Sequence, residues 1–216
     1  MDPTSQRILG SQGMLSVQYV ALAATLNPSS GSTVVVDRPT GTVEGDLMVG
    51  FCLSDNTGSW TGDTGWTEVL DFNGGAALRI AYKVATASEP SSYTFTYTAS
   101  RVLRGAILTY RNAQYDTVGA VSTTISGSVH TAPEITVAQS GSALIAVWAA
   151  NDSGISWSAF TSGMTFRTSN NSGTASSWAI YDDLDYPAGL SGSKSATISA
   201  TTGSAEPTVL LSLKPL

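Results

Sequence analysis

Residues 45–58 read GDLMVGFCLSDNTG, and residues 141–154 read GSALIAVWAANDSG. Each is a glycine-led apolar run that stops in an Asp/Asn turn closed by glycine, the pattern of a buried strand bounded by a turn. The segments after each run come in the same order. GWTEV, ALRIAYKV, YTFTYTAS and RGAILTYR succeed the first; GMTFR, SWAIYDDL, SATISATT and PTVLLSLK succeed the second, about a hundred residues later. The chain therefore states one unit of strands twice, over about 33–113 and 134–214. Two copies of such a unit predict an all-β fold: a two-sheet antiparallel β-sandwich, jelly-roll-like, in which each half contributes strands and packs on the other.

The rest of the chain agrees with a β reading. Ser and Thr together number 58, there are 21 glycines, and only three lysines occur. Threonine suits strands while serine and glycine suit turns, so the helix-favouring residues are outweighed. Strands are predicted over 16–26, 33–37, 46–53, 67–72, 77–84, 93–98 and 103–111 in the first half. The second half supplies 135–138, 143–150, 164–168, 177–184, 195–200 and 208–213. Asn73-Gly74-Gly75 marks a hairpin between two of them. Tyr93, Phe95 and Tyr97 alternate with threonines, as a half-buried strand requires. The polar stretch 112–133 reads as loop with one short strand, a connection within a single domain over 15–216.

Residues 1–14, MDPTSQRILGSQGM, show no alternation and form a separate N-terminal arm. Its candidate docking residues are Asp2, Pro3 and Arg7, with Ile8 and Leu9 as apolar anchors. No basic stretch followed by an apolar one opens the chain, so no signal peptide is read and synthesis in the cytoplasm is expected. The net charge of −6 disfavours nucleic acid, which needs a basic surface, and an anionic membrane for the same reason. Cys52 is the single cysteine and reads as a small buried hydrophobe.

Catalytic and metal patterns are thin. His130 is the only histidine, placed in a polar stretch without a nucleophile-elbow motif, so a serine triad is not expected. One His and one Cys fall short of a zinc site. Asp182, Asp183 and Asp185 cluster where the chain is expected to leave its strand, and a turn carrying three carboxylates is a weak candidate for calcium. Trp66, Trp148 and Trp178 lie in strand patterns and read as core. Trp60 and Trp157 stand among Gly and Ser, and are the candidates for contact with a glycan. No cofactor is implied.

The series VEGDLMVGFCLSD, GWTEV, ALRIAYKVATASEPSSYTFTYTAS and RGAILTYRNA resembles a β-sandwich module of bacteriophage virion proteins. The phrase Lys83-Val84-Ala85-Thr86-Ala87-Ser88-Glu89-Pro90 carries most of the likeness, with proline enforcing a turn between two strands. The resemblance covers about residues 33–113 and implies a virion location and a non-enzymatic structural role. A short arm ahead of one globular body suits a capsid decoration (cement) protein bound to the major capsid protein or another virion protein. On this reading the protein is a homo-oligomer, taken as a trimer. The alternative is a tail-fibre or head-fibre protein that adheres to a host surface glycan.

Overall fold

The computed structural model describes residues 15–26, 30–61, 64–151, 155–170, 176–200 and 206–216. Among these residues every regular element is a strand. The first half holds β1 (Gln18–Leu26), β2 (Gly31–Asp37), β3 (Leu47–Ser54), β4 (Trp60–Thr61), β5 (Thr67–Asn73), β6 (Ala77–Val84), β7 (Ser92–Arg101) and β8 (Leu103–Arg111). The second half holds β9 (Ala113–Val118), β10 (Ile125–Ser126), β11 (Val129–Ala132), β12 (Thr136–Val137), β13 (Ser142–Ala150) and β14 (Trp157–Ser158). It continues with β15 (Thr165–Asn170), β16 (Ser177–Tyr186), β17 (Gly189–Leu190), β18 (Lys194–Ile198) and β19 (Thr208–Pro215).

The fold is all-β and sandwich-like, as expected, but the halves do not share one sandwich: each closes as a two-sheet sandwich with its own core. A five-stranded sheet ordered β1-β8-β3-β6-β5 lies over a three-stranded sheet β2-β7-β4. The second half repeats that order strand for strand, with β9-β19-β13-β16-β15 over β11-β18-β14, and adds β10 at the edge and a two-stranded β12-β17 sheet. All the inter-strand pairings are antiparallel. The repeat is longer than the sequence shows, because β1 and β9 are equivalent. Val17-Gln18-Tyr19 and Ala113-Gln114-Tyr115 occupy matching places beside β8 and β19. The polar stretch 112–133 thus contains three strands rather than one.

Each half is closed by its own core, and a third core joins the halves. Met48, Cys52, Phe95, Tyr97 and Ile107 fill the first sandwich. Leu144, Ala146, Trp148, Ala196 and Leu210 fill the second. Between the five-stranded sheets lie Leu47, Val49, Phe51 and Leu53 from β3, facing Ala143, Ile145, Val147 and Ala149 from β13. Successive side chains of a strand point to opposite faces. Every residue of β3 and of β13 is therefore buried, odd positions toward the other half and even positions toward the small sheet. That double burial is why both runs lack a polar alternation. Gly45 and Gly141 enter these strands at φ +87° and +82°, where a side chain would be strained, so both copies begin with glycine.

The seams between the halves are built from equivalent residues with different partners. Tyr115 stacks on Tyr82, with ring centroids 5.0 Å apart and planes 8° from parallel. At the opposite seam Tyr19 carries the guanidinium of Arg167 over its ring at 3.6 Å. Arg167 Nε donates to Asp182 Oδ1 at 2.8 Å, and the Tyr110 hydroxyl donates to Asp182 Oδ2 at 2.9 Å.

Candidate functional site

The loop Arg38–Asp46 forms one end of the first sandwich, and three adjoining hollows open around it. Pro39, Thr40 and Gly41 reverse the chain, and Thr42 donates its hydroxyl to Pro39 O at 2.7 Å. Asp46 is buried at the base of the loop. Its Oδ2 accepts from Val43 N at 2.9 Å, and Arg111 donates to both carboxylate oxygens at 2.9 and 2.8 Å. Such a two-point pairing fixes orientation as well as charge. The Arg111 guanidinium also reaches Gly41 O at 3.2 Å, tying β8 to the turn.

Beside this loop, the KVATASEP phrase folds around one carboxylate. Glu89 accepts from Lys83 Nζ at 2.7 Å, the Tyr93 hydroxyl at 2.7 Å, Thr86 N at 2.8 Å and the Thr86 hydroxyl at 2.9 Å. Burial works to raise its pKa. The donors, led by Lys83, outweigh burial and bring the carboxyl from 4.5 down to about 2. A carboxylate so saturated stays ionised at neutral pH and has a structural task. Arg38 completes the corner by donating to Glu89 O at 2.9 Å.

The hollow between these loops and residue 15 differs in character. It measures about 450 Å³ and is lined by Leu15, Val43, Glu44, Gly45, Arg111 and Leu216, among others. Leu15, Val43 and Leu216 are 69%, 53% and 71% exposed, so three large apolar side chains meet water in one place. Asn112 holds the incoming chain there by donating its side-chain amide to Leu15 O and Ser16 O. Its floor is apolar, and the charged side chains of Glu44 and Arg111 stand among its lining residues.

No family model, curated protein or solved structure matches this chain.

The structure relocates most of the candidate residues. Trp60 and Trp157 are 4% and 7% exposed, so neither offers a ring face to a glycan. They are equivalent residues on β4 and β14, each closing the open end of its sandwich. Trp60 Nε1 donates to Ala77 O at 3.4 Å, and Trp157 Nε1 donates to Ser177 Oγ at 3.0 Å. Those two acceptor positions are themselves equivalent, at the starts of β6 and β16. The turn expected at Asp182 is also absent. Strand β16 runs on to Tyr186, and its alternation separates the acids. Asp182 is buried against Arg167 and Tyr110, Asp183 lies within the field of Lys194, and exposed Asp185 accepts from the Ser16 hydroxyl at 2.7 Å. They do not converge on a point where calcium would sit, and no cluster of three metal-ligating side chains occurs among the described residues.

His130 lies on β11 rather than in a loop and is fully buried. Its Nε2 is 3.0 Å from Glu206 Oε2, and its ring meets Trp157 edge to face. Burial pushes the imidazole below its ordinary pKa. Cys52 is buried at 2% exposure, as its apolar setting predicts. Asp2, Pro3, Arg7, Ile8 and Leu9 lie outside the described residues. The Glu89 cluster is not among the sequence candidates, although a signal for it exists. Thr86-Ala87-Ser88-Glu89 has the T-x-x-E spacing in which a glutamate reaches back to the backbone N–H three residues earlier.

Proposed function

We propose that the protein is a non-enzymatic structural protein of a bacteriophage virion, a capsid decoration protein that attaches through residues 1–14 and projects its stacked sandwiches outward. One observation carries the reading. The broad apolar faces are spent between the halves, while residue 15 leaves the body beside an exposed apolar hollow at one end. A protein of that shape meets a partner by its end and its leading segment. The likeness of residues 33–113 to virion sandwich modules supplies the setting, with the major capsid protein or another virion protein as partner and a homo-oligomer, taken as a trimer, as the attached form. Repeated attachment at many equivalent points would multiply a modest interface into large stabilisation of a shell.

Deleting residues 1–14 tests this directly. The expected result is a folded protein that no longer decorates purified heads. Full occupancy by the truncated protein would overturn the docking role.

The adhesion alternative retains one specific feature. Phe166 on β15 is 53% exposed and meets Tyr181, which stacks on Phe160 at 4.0 Å, so the second sandwich presents an aromatic surface. Saturable binding to host glycan that is lost in Phe166→Ala would favour a fibre protein over a cement protein.

A further inference from the structure

Asn73-Gly74 lies where β5 turns into β6 and is the one Asn-Gly step in the sequence. We propose that Asn73 is a site of spontaneous chemical modification, where the side-chain amide is lost and the backbone linkage to Gly74 is rearranged. The reaction needs only water, so the inference is independent of the docking reading.

The chemistry is a ring closure. The Gly74 backbone nitrogen adds to Asn73 Cγ, forming a C–N bond and a five-membered succinimide. The Cγ–Nδ2 bond breaks, and the proton displaced from the Gly74 nitrogen departs with ammonia. Water then opens the ring at either carbonyl. Attack at Cγ gives aspartate. Attack at the main-chain carbonyl gives isoaspartate, in which the chain runs on through Cβ and Cγ.

The fold favours this step in three ways. Gly58 N donates to Asn73 Oδ1 at 2.7 Å. Negative charge gathers on that oxygen as the Gly74 nitrogen adds, and a fixed N–H aimed at developing charge lowers the barrier. The leaving group is also unrestrained: Asn73 is exposed, and its Nδ2 has no partner among the described residues. Asn112 and Asn151, by contrast, donate their amide nitrogens to main-chain oxygens. Finally, Gly74 has no side chain to crowd the attacking nitrogen, whereas Asn56 is followed by β-branched Thr57. Packing dictates that glycine, since a side-chain carbon at Gly74 would lie 2.3 Å from the Phe72 ring. The hairpin thus imposes the very residue that leaves the preceding asparagine reactive.

The product alters a junction. Asn73 pairs with Ala77 across the hairpin, and the Gly75 carbonyl between them accepts from Asn151 of the other half at 2.8 Å. Isoaspartate inserts an extra backbone carbon ahead of Gly74, so the pairing and this link between the halves shift together.

Incubating the full chain at pH 7 and pH 9, with peptide mapping over time, tests the chemistry. Asn73 should yield aspartate and isoaspartate at least about tenfold faster than Asn56 is lost, at a rate that rises with hydroxide. An intact Asn73, or one no faster than Asn56, would overturn the proposal. The native chain should convert Asn73 at least as fast as the same chain in urea, because only the fold supplies the Gly58 N–H. A slower native rate would show that the hairpin protects the residue, and would also overturn it. Hydrogen exchange reads the consequence: amides of β5 and β6 should exchange faster in aged native protein and stay unchanged in aged Asn73→Gln. Equal exchange in the two aged proteins would remove the claim that the junction loosens.

Discussion

The two halves share one backbone plan and fill it in opposite ways. In the first sandwich the small sheet brings the bulk. Tyr93, Phe95 and Tyr97 of β7 project onto a large sheet that offers Gly50 and Cys52, and a side-chain carbon at Gly50 would meet the Trp66 ring at 3.0 Å. In the second sandwich the places of Phe95 and Cys52 are taken by Ala196 and Trp148. The volume has moved across the gap from one sheet to the other. Protein interiors are close-packed, so a large residue on one side requires a small one opposite. Compensation of this kind preserves the fold while erasing residue-by-residue likeness.

The seams diverge further, and the strongest test lies there. Asp182 is fully buried at the position equivalent to Tyr82, and burial raises its pKa against the opposing pull of Arg167 and Tyr110. Replacing Arg167 by leucine leaves that charge without its cation, at a cost of about 3–5 kcal/mol by urea denaturation at pH 7. A group whose folded pKa lies above its unfolded value favours the folded state at low pH and loses that contribution as pH rises. The deficit in Arg167→Leu should therefore shrink as pH falls toward 4. Pairing it with Asp182→Leu should restore most of the loss, and a purely additive double variant would show that the contact carries no coupling.

A second, smaller effect separates the sandwiches by acid. In the first half Tyr93 is tied to the Glu89 carboxylate, whereas its equivalent, Lys194, reaches the neutral Tyr186 hydroxyl at 3.2 Å. Glu89 is held at about 2 against 4.5 when unfolded. Its contribution is complete above pH 4.5 and is lost as pH falls from 4.5 toward 2. Glu89→Gln should cost about 1–3 kcal/mol at neutral pH and should flatten that acid limb. Hydrogen exchange on acidification should then show the first half opening ahead of the second in the native protein, and the two opening together would contradict the comparison.

The smallest effect belongs to the aromatic seam. Tyr115→Leu retains apolar bulk but removes the stacked ring, for a loss of about 0.5–1.5 kcal/mol. The change at Arg167 should exceed it severalfold, although Tyr19 and Tyr115 occupy matching places.

Strands that lie wholly inside were the most legible part of the sequence. In β3 and β13 both faces are apolar, so run length and flanking glycine suffice to place them. Strand β9 is half-buried along a seam, and Gln114, Asp116 and Thr117 hide it in a polar stretch. Trp60 and Trp157 sit on strands of two residues, too short for any alternation to show. The acids of β16 misled for another reason. A carboxylate inside a strand is tolerable only with a partner, and Arg167 lies fifteen residues earlier, a distance at which no local pattern signals the pairing. The apolar hollow beside Leu15 left no local pattern in the sequence, because it is assembled from residues 15, 43 to 46, 111, 112 and 216.

Strand β1 lies against β15 and sets Tyr19 beside Arg167, while β9, the equivalent of β1, meets β6 through Tyr115 and Tyr82, so the halves face each other about an approximate two-fold axis. That is the arrangement of an isologous homodimer joined into one chain. In a true homodimer each residue serves on both sides of the axis, and any change at one seam is forced on the other. Fusion removes the constraint. One seam was free to acquire a buried ion pair and the other a pair of stacked rings, and any partner is presented with two distinct flanks instead of two copies of one.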